Sequence, residues 1–148
     1  MSKNKILFLD DEKFISGKLA EHLELLGWDV TFFNDINEFL NEFITGVFDI
    51  LILDIMVPIP KTENQHIKFS KKEIENMGEN GVNTGIVLAM KIWELRKDIP
   101  ILFLSAREQR PKAIKQFQSS GLICDYNRKP ELANTVSEKL IELLNKLS

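Results

Sequence analysis

Lys5-Ile-Leu-Phe-Leu-Asp-Asp11 is the stretch on which the fold turns. Ile6 to Leu9 is an unbroken apolar run of strand length, and it stops at two carboxylates. A strand apolar at every position is buried on both faces, which is the signature of a parallel sheet covered by helices. The abrupt change at Asp10 marks the carboxyl end of that strand. In open α/β sheets this is the edge where ligands bind.

Working outward from it, strand-length apolar runs alternate with amphipathic stretches. Phe14 to Leu26 has helical spacing, with Phe14, Ile15, Leu19, Leu23 and Leu26 on one face and Gly27 as the stop. Trp28 to Phe33 reads as the second strand. Asn34 or Asp35 caps a helix through Ile36, Phe39, Leu40 and Phe43. Phe48 to Leu53 is a third strand, ending at Asp54, and Ile99 to Leu104 is a fourth, ending at Ser105. Thr84 to Arg96 is a helix between them, with Ile86, Val87, Met90 and Trp93 inward. Pro111 to Ser120 is a short helix, Leu122 to Tyr126 the fifth strand, and Glu131 to Leu147 a final helix with a leucine stripe. Five strands alternating with five helices imply an α/β architecture with a doubly wound parallel sheet, because right-handed crossovers leave few other solutions.

Ile59 to Asn83 breaks the alternation. It is polar, rich in Lys, Glu and Asn, and long for a connection in a compact domain. Ser70-Lys-Lys-Glu73 has the form of a capping box, and Gly78 is placed to stop a short helix after Met77. Two readings stand side by side: a solvated, disordered insertion, or an ordered one in which Ile67, Phe69, Ile74 and Met77 pack against the domain.

Composition bounds the function. The chain has 148 residues, room for one domain with an ordinary core, so residues 1–148 are read as a single unit with an insertion at about 59–83. A formal charge of −3 gives no electrostatic reason to expect nucleic acid or an anionic membrane as a partner. Ile6–Leu9 is far too short for a membrane span or a signal-peptide core. The single cysteine, Cys124, excludes an internal disulfide. A cytoplasmic protein, with no membrane insertion, is the expectation.

The strand ends carry the chemistry. Asp10, Asp11 and Glu12 follow the first strand, Asp54 the third and Ser105 the fourth, and Lys129-Pro130 follows the fifth. A parallel sheet gathers these ends on one edge. Three aspartates together repel one another unless a cation offsets them. A hard divalent cation with oxygen ligands does so, and Mg²⁺ suits a site of one or two carboxylates, waters and a phosphate oxygen. An ionised Asp can then act as nucleophile towards phosphorus. Mg²⁺, the Lys129 ammonium and the Ser105 hydroxyl would meet the phosphoryl oxygens, and phosphoryl transfer needs mainly such positioning and charge neutralisation.

With these residues in order, the chain resembles the receiver domains of two-component response regulators, chemotaxis-regulator-like. The matching stretches are Lys5 to Asp11, Leu51-Ile-Leu-Asp54 with Pro58, Leu102-Phe-Leu-Ser-Ala106 and Tyr126-Asn-Arg-Lys129-Pro130. The resemblance implies a flavodoxin-like sheet in the order 2-1-3-4-5 and makes Asp54 the phosphoacceptor. Asp11, Asp54 and the Met56 carbonyl would ligate Mg²⁺, with Asp10 acting through water. Lys129 would pair with the phosphoryl group, Ser105 would move to bond it, and Tyr126 would be an aromatic switch. The Lys129–Pro130 bond is cis in similar proteins. The implied partners are a sensor histidine kinase or histidine phosphotransfer protein and a downstream protein target. Catalysis would be limited to the chain's own phosphorylation and dephosphorylation. Ser105 stands where Thr is commoner.

Other readings of the same residues remain. Asp10-Asp11 alone is a good helix-capping loop, Tyr126 alone a core aromatic, and the last leucine stripe core packing. His22 and His66 stand apart and read as solvated. A pseudo-receiver that is never phosphorylated and serves as a protein-binding scaffold is the functional alternative. A phosphohydrolase with an Asp nucleophile usually carries a second Asp two positions on, where this chain has Met56. A flavin site would require a phosphate cradle after the first strand, where three acids stand instead.

Overall fold

The computed structural model describes residues 3–107 and 109–147. Five parallel strands, β1 (Lys5–Leu9), β2 (Asp29–Phe33), β3 (Ile50–Asp54), β4 (Ile101–Ser105) and β5 (Cys124–Arg128), form one sheet in the order β2-β1-β3-β4-β5. This is the doubly wound, flavodoxin-like order. The helices are α1 (Lys13–Leu25), α2 (Ile36–Thr45), α3 (Lys71–Asn76), α4 (Thr84–Leu95), α5 (Lys112–Ser119) and α6 (Ala133–Asn145). The alternation gives five of these helices; the sixth, α3, is the short capped helix that Ser70 to Met77 offers inside the polar stretch.

The continuous apolar strands are explained by two cores. Leu7, Leu9, Leu51, Leu53 and Phe103 point to one face, where α2, α4 and α5 cover them. Ile6, Phe8, Ile50, Ile52, Leu102 and Leu104 alternate to the other, under α1 and α6. Each fully buried Leu, Ile or Phe contributes about 1.5–3 kcal/mol of transfer free energy, so the three central strands dominate stability. β5 lies two residues later than the apolar run suggests. Its pairing partner sets the register: Ile101 faces Cys124 and Ser105 faces Arg128, carrying the strand through polar Asn127 and Arg128.

Three helix faces differ from the apolar spacing. On α1, Phe14 and Ile15 are exposed, as is Leu26 just beyond it, while Ser16, Ala20 and Leu23 are buried. Small residues let the helix approach the sheet, and the Ser16 hydroxyl donates to buried Asp10 at 2.6 Å. Satisfying that carboxylate sets the helix's rotation at its N-terminal end. On α4, Met90 is exposed and lines a groove between α3, α4 and α5, while Leu88, Ala89 and Ile92 take the core positions. Of the last leucine stripe, Val136, Leu140 and Leu143 are buried, whereas Leu132 and Leu147 are exposed.

The polar stretch is ordered. Asn64 is buried and pins it to α2: its amide donates to the Asn37 carbonyl and to Asn41 Oδ1, while its own oxygen accepts from the His66 and Ile67 amides. Ile67 joins the core beneath α2. The capping box is present, with Ser70 and Glu73 each bonding the other's backbone amide. Glu73 then accepts from Lys91 of α4 at 2.9 Å, and the Lys91 ammonium lies over the Phe69 ring. Met77 is fully buried. A turn at Glu79–Gly81 brings the chain back to where it left, and Gly81, at φ 71°, sits so close to the Val57 carbonyl that a side chain would overlap it.

Two helical glycines separate sterics from propensity. A Cβ at Gly85 would lie 2.2 Å from the Asp54 carbonyl oxygen, so α4 rests directly on the end of β3. At Gly17 of α1 nothing lies within 4 Å of such a Cβ. Gly17→Ala is expected to stabilise the fold by about 0.5–1 kcal/mol through helix propensity. Gly85→Ala is expected to destabilise it by about 1–3 kcal/mol through overpacking. Thermal melts check the pair; equal shifts in Tm would show that the close approach of α4 to β3 is absent in solution.

Candidate functional site

The first, third, fourth and fifth strands deliver their end residues to one edge of the sheet. Asp10, immediately after β1, is fully buried. Its Oδ1 accepts from the Glu12 amide at 2.8 Å, and its Oδ2 accepts from Ser16 and from the Lys129 ammonium at 2.9 Å. Asp54, the last residue of β3, is 3% exposed, and Lys129 Nζ stands 3.4 Å from its Oδ2. The Met56 amide reaches Asp54 Oδ1 at 3.3 Å. Asp11 is exposed, and oxygens from Asp10, Asp11 and Asp54 lie within 4.8 Å of one another. Ser105, ending β4, is fully buried and accepts from the Arg107 amide at 3.3 Å. Its carbonyl accepts from the Lys129 amide at 2.8 Å, and the Lys129–Pro130 bond is cis.

The electrostatics follow from the count of charges. Among the described residues, three carboxyl groups meet one ammonium, so full ionisation would leave two negative charges uncompensated. Burial pushes the Asp54 carboxyl up to about 8, assisted by the charge of Asp10, opposed by Lys129, and raised further by a hydrogen bond and charge from Asp11. For Lys129, burial disfavours the charge, but the bond to Asp10 and the charges of Asp54, Asp10 and Glu12 outweigh it and hold the ammonium above its ordinary range. An all-oxygen donor set lacking two positive charges fits a hard divalent cation, and Asp10, Asp11 and Asp54 are the residues that could hold one.

Sequence comparison gives no match to a protein-family model or to a curated protein. Structure comparison matches many solved structures. A CheY-like response regulator receiver domain protein from Methanospirillum hungatei superposes with a TM-score of 0.72 at 20% identity, covering 99% of this chain and 97% of that one. The Francisella response regulator 1452 receiver domain gives 0.70 at 22%, covering 99% and 100%. A response regulator receiver domain protein from Clostridium thermocellum gives 0.67 at 19%, covering 97% and 95%. The chain has the receiver fold.

Within the receiver fold, Tyr126 is half-buried on β5, packs on the core beside Phe103, and donates its hydroxyl to the Arg107 carbonyl at 2.9 Å. Two residues with no signal in the sequence complete the site. Ser16 is the third partner of Asp10, hidden in an apolar helix reading. Arg107 touches both Ser105 and Tyr126 through its backbone and reaches the end of the 59–83 stretch through its guanidinium. Its partners there depend on the path of that stretch, which no local pattern encodes.

The raised Asp54 carboxyl has a measurable consequence. Between the ordinary carboxylate range and about 8, the folded chain holds a proton that the unfolded chain has released. Without added metal, stability therefore falls as pH rises across that window. Asp54→Asn, which carries no charge, is expected to raise Tm in chelator more at about pH 8 than at about pH 5. Equal gains at the two pH values in thermal melts would show that Asp54 is not held protonated.

Proposed function

We propose that the chain is a response-regulator receiver whose Asp54 accepts a phosphoryl group. The observation that supports this most is a carboxylate triad, with Asp10 and Asp54 buried and Asp11 exposed, that meets the Lys129 ammonium 3.4 Å from Asp54 at the carboxyl edge of the sheet. Residues 1–148 act as one receiver unit, with 59–83 as an insertion after β3. The donor is a phosphohistidine of a sensor histidine kinase or histidine phosphotransfer protein. An Asp54 carboxylate oxygen attacks phosphorus, the P–N bond to the donor imidazole breaks, and a P–O bond to Asp54 forms. Asp54 must be ionised to attack, so the group that lowers its proton affinity governs the reaction.

Mg²⁺ is the cation that the donor set suits; Asp11, Asp54 and the Met56 carbonyl would hold it, and Asp10 would act through water. When bound, it neutralises the carboxylates and the incoming phosphoryl oxygens. Lys129 pairs with one phosphoryl oxygen, moving its ammonium from Asp54 to the product. Ser105, whose bond from the Arg107 amide is long, is free to turn its hydroxyl to another. Tyr126 then follows the loop after Ser105, and the change is read by a downstream protein. The chain catalyses only its own phosphorylation and dephosphorylation.

A small acyl-phosphate donor with Mg²⁺ is expected to add one phosphoryl group to the wild type and none to Asp54→Asn, read by intact-protein mass spectrometry. Omitting Mg²⁺ is expected to leave the wild type unlabelled. Label on Asp54→Asn would assign the chemistry to another residue. A folded wild type that takes no label under any of these conditions would favour the scaffold reading.

A further inference from the structure

Arg107 carries three ties to three separate parts of the molecule. Its amide donates to Ser105 Oγ at 3.3 Å, and its carbonyl accepts from Tyr126 on the edge strand at 2.9 Å. Its guanidinium donates to the Val82 carbonyl and, at 2.9 Å, to Asn83 Oδ1. Val82 and Asn83 end the inserted stretch, and the next residues start α4, where the Gly85 amide donates to the Ile55 carbonyl one residue past Asp54. The insertion is thus fastened beside the site by the residue that also holds the Ser105 hydroxyl.

We propose that Arg107 is a positioning residue that couples phosphorylation at Asp54 to the order of the insertion's end, residues 79–83. This rests on Asp54 being the phosphoacceptor. The 3.3 Å bond to Ser105 is the weakest of the ties at the long end of hydrogen-bond geometry. When Ser105 turns to a phosphoryl oxygen, the Arg107 amide loses its acceptor and the backbone at 106–107 shifts. The guanidinium is fixed to that backbone, so its bonds to Val82 and Asn83 are loosened. The latch therefore favours the unphosphorylated state, and coupling is reciprocal: whatever weakens the latch must raise the affinity of the site for a phosphoryl group by the same factor.

Asn83 isolates the effect. It stands at the N-cap of α4, but its side chain makes no capping bond, so Asn83→Ala removes one of the two acceptors for the Arg107 guanidinium, leaving the Val82 carbonyl, without removing a cap. Three amide bonds report the order of the segment: Gly81 to the Gly78 carbonyl, Val82 to Glu79, and Asn83 to Met77 at 2.8 Å.

The test uses the full chain with Mg²⁺ and beryllium fluoride, a phosphoryl mimic whose binding is followed separately by fluorine NMR. In the wild type, hydrogen exchange at residues 79–83 is expected to quicken about fivefold or more when the mimic binds, the low end of allosteric couplings. In Arg107→Ala, exchange is expected to be fast already and unchanged by the mimic; in Asn83→Ala, which keeps the bond to the Val82 carbonyl, it is expected to be intermediate and to respond less than the wild type. Arg107→Ala is expected to bind the mimic more tightly by the factor seen in wild-type exchange, and Asn83→Ala by a smaller one. Asn83→Asp keeps the acceptor and makes the bond charge-assisted, so it is expected to slow exchange in the unliganded protein. Bound mimic with unchanged or slower exchange at 79–83 in the wild type overturns the coupling and leaves the phosphoacceptor reading intact. A wild type that binds no mimic overturns both.

Discussion

Asp10 is a charge held where water does not reach, and the carboxyl edge of the sheet is arranged around it. Removing a carboxylate from water costs several kcal/mol unless it is paired and hydrogen-bonded. Ser16, the Glu12 amide and Lys129 together occupy its oxygens. Each partner is delivered by a different element: α1, the turn before it, and the loop after β5. Losing one would leave the charge exposed to a low-dielectric interior, so the three elements are locked to one another through a single side chain. The rotation of α1 follows from this constraint, as does the placement of Lys129 within reach of Asp54.

The same arrangement leaves Asp54 poorly compensated. Lys129 is shared between Asp10 and Asp54, and it compensates one of them well. Asp54 is left with burial, two carboxylate neighbours and a distant share of the ammonium, so its proton is held to about 8. Stability and ionisation pull in opposite directions at this residue. A fold that tolerates such frustration at a strand end keeps it because the rest of the sheet, apolar on both faces, is stable enough to carry it.

Much of this was legible in the residues. The parallel sheet follows from runs such as Ile6–Leu9 and Leu51–Leu53, since only burial on both faces permits unbroken apolar strands. The site followed because a parallel sheet must bring strand ends together, whatever the loops do. What was hidden is what depends on geometry across elements. Phe14 and Ile15 fit an apolar helical face, yet the hydrogen bond from Ser16 turns them outward. Met90 fits α4's inner face, yet α4 packs through Leu88, Ala89 and Ile92. Ser70–Glu73 announced its own capping box, because that signal is local. Asn64, which anchors the same stretch through four hydrogen bonds, announced nothing, because its partners on α2 are more than twenty positions away.

The near-contact of Gly81 with the Val57 carbonyl bears on how much such a stretch can vary. An excursion that departs and returns at one point leaves the spacing of the strand and helix on either side untouched. Its entropic cost grows only with the logarithm of its length, about 0.6 kcal/mol per doubling. A stretch closed in this way can change length or surface while the carboxylates at the strand ends keep their places. The crossing at Val57 and Gly81 closes the stretch on itself, so a change of length between them need not move β3 or α4.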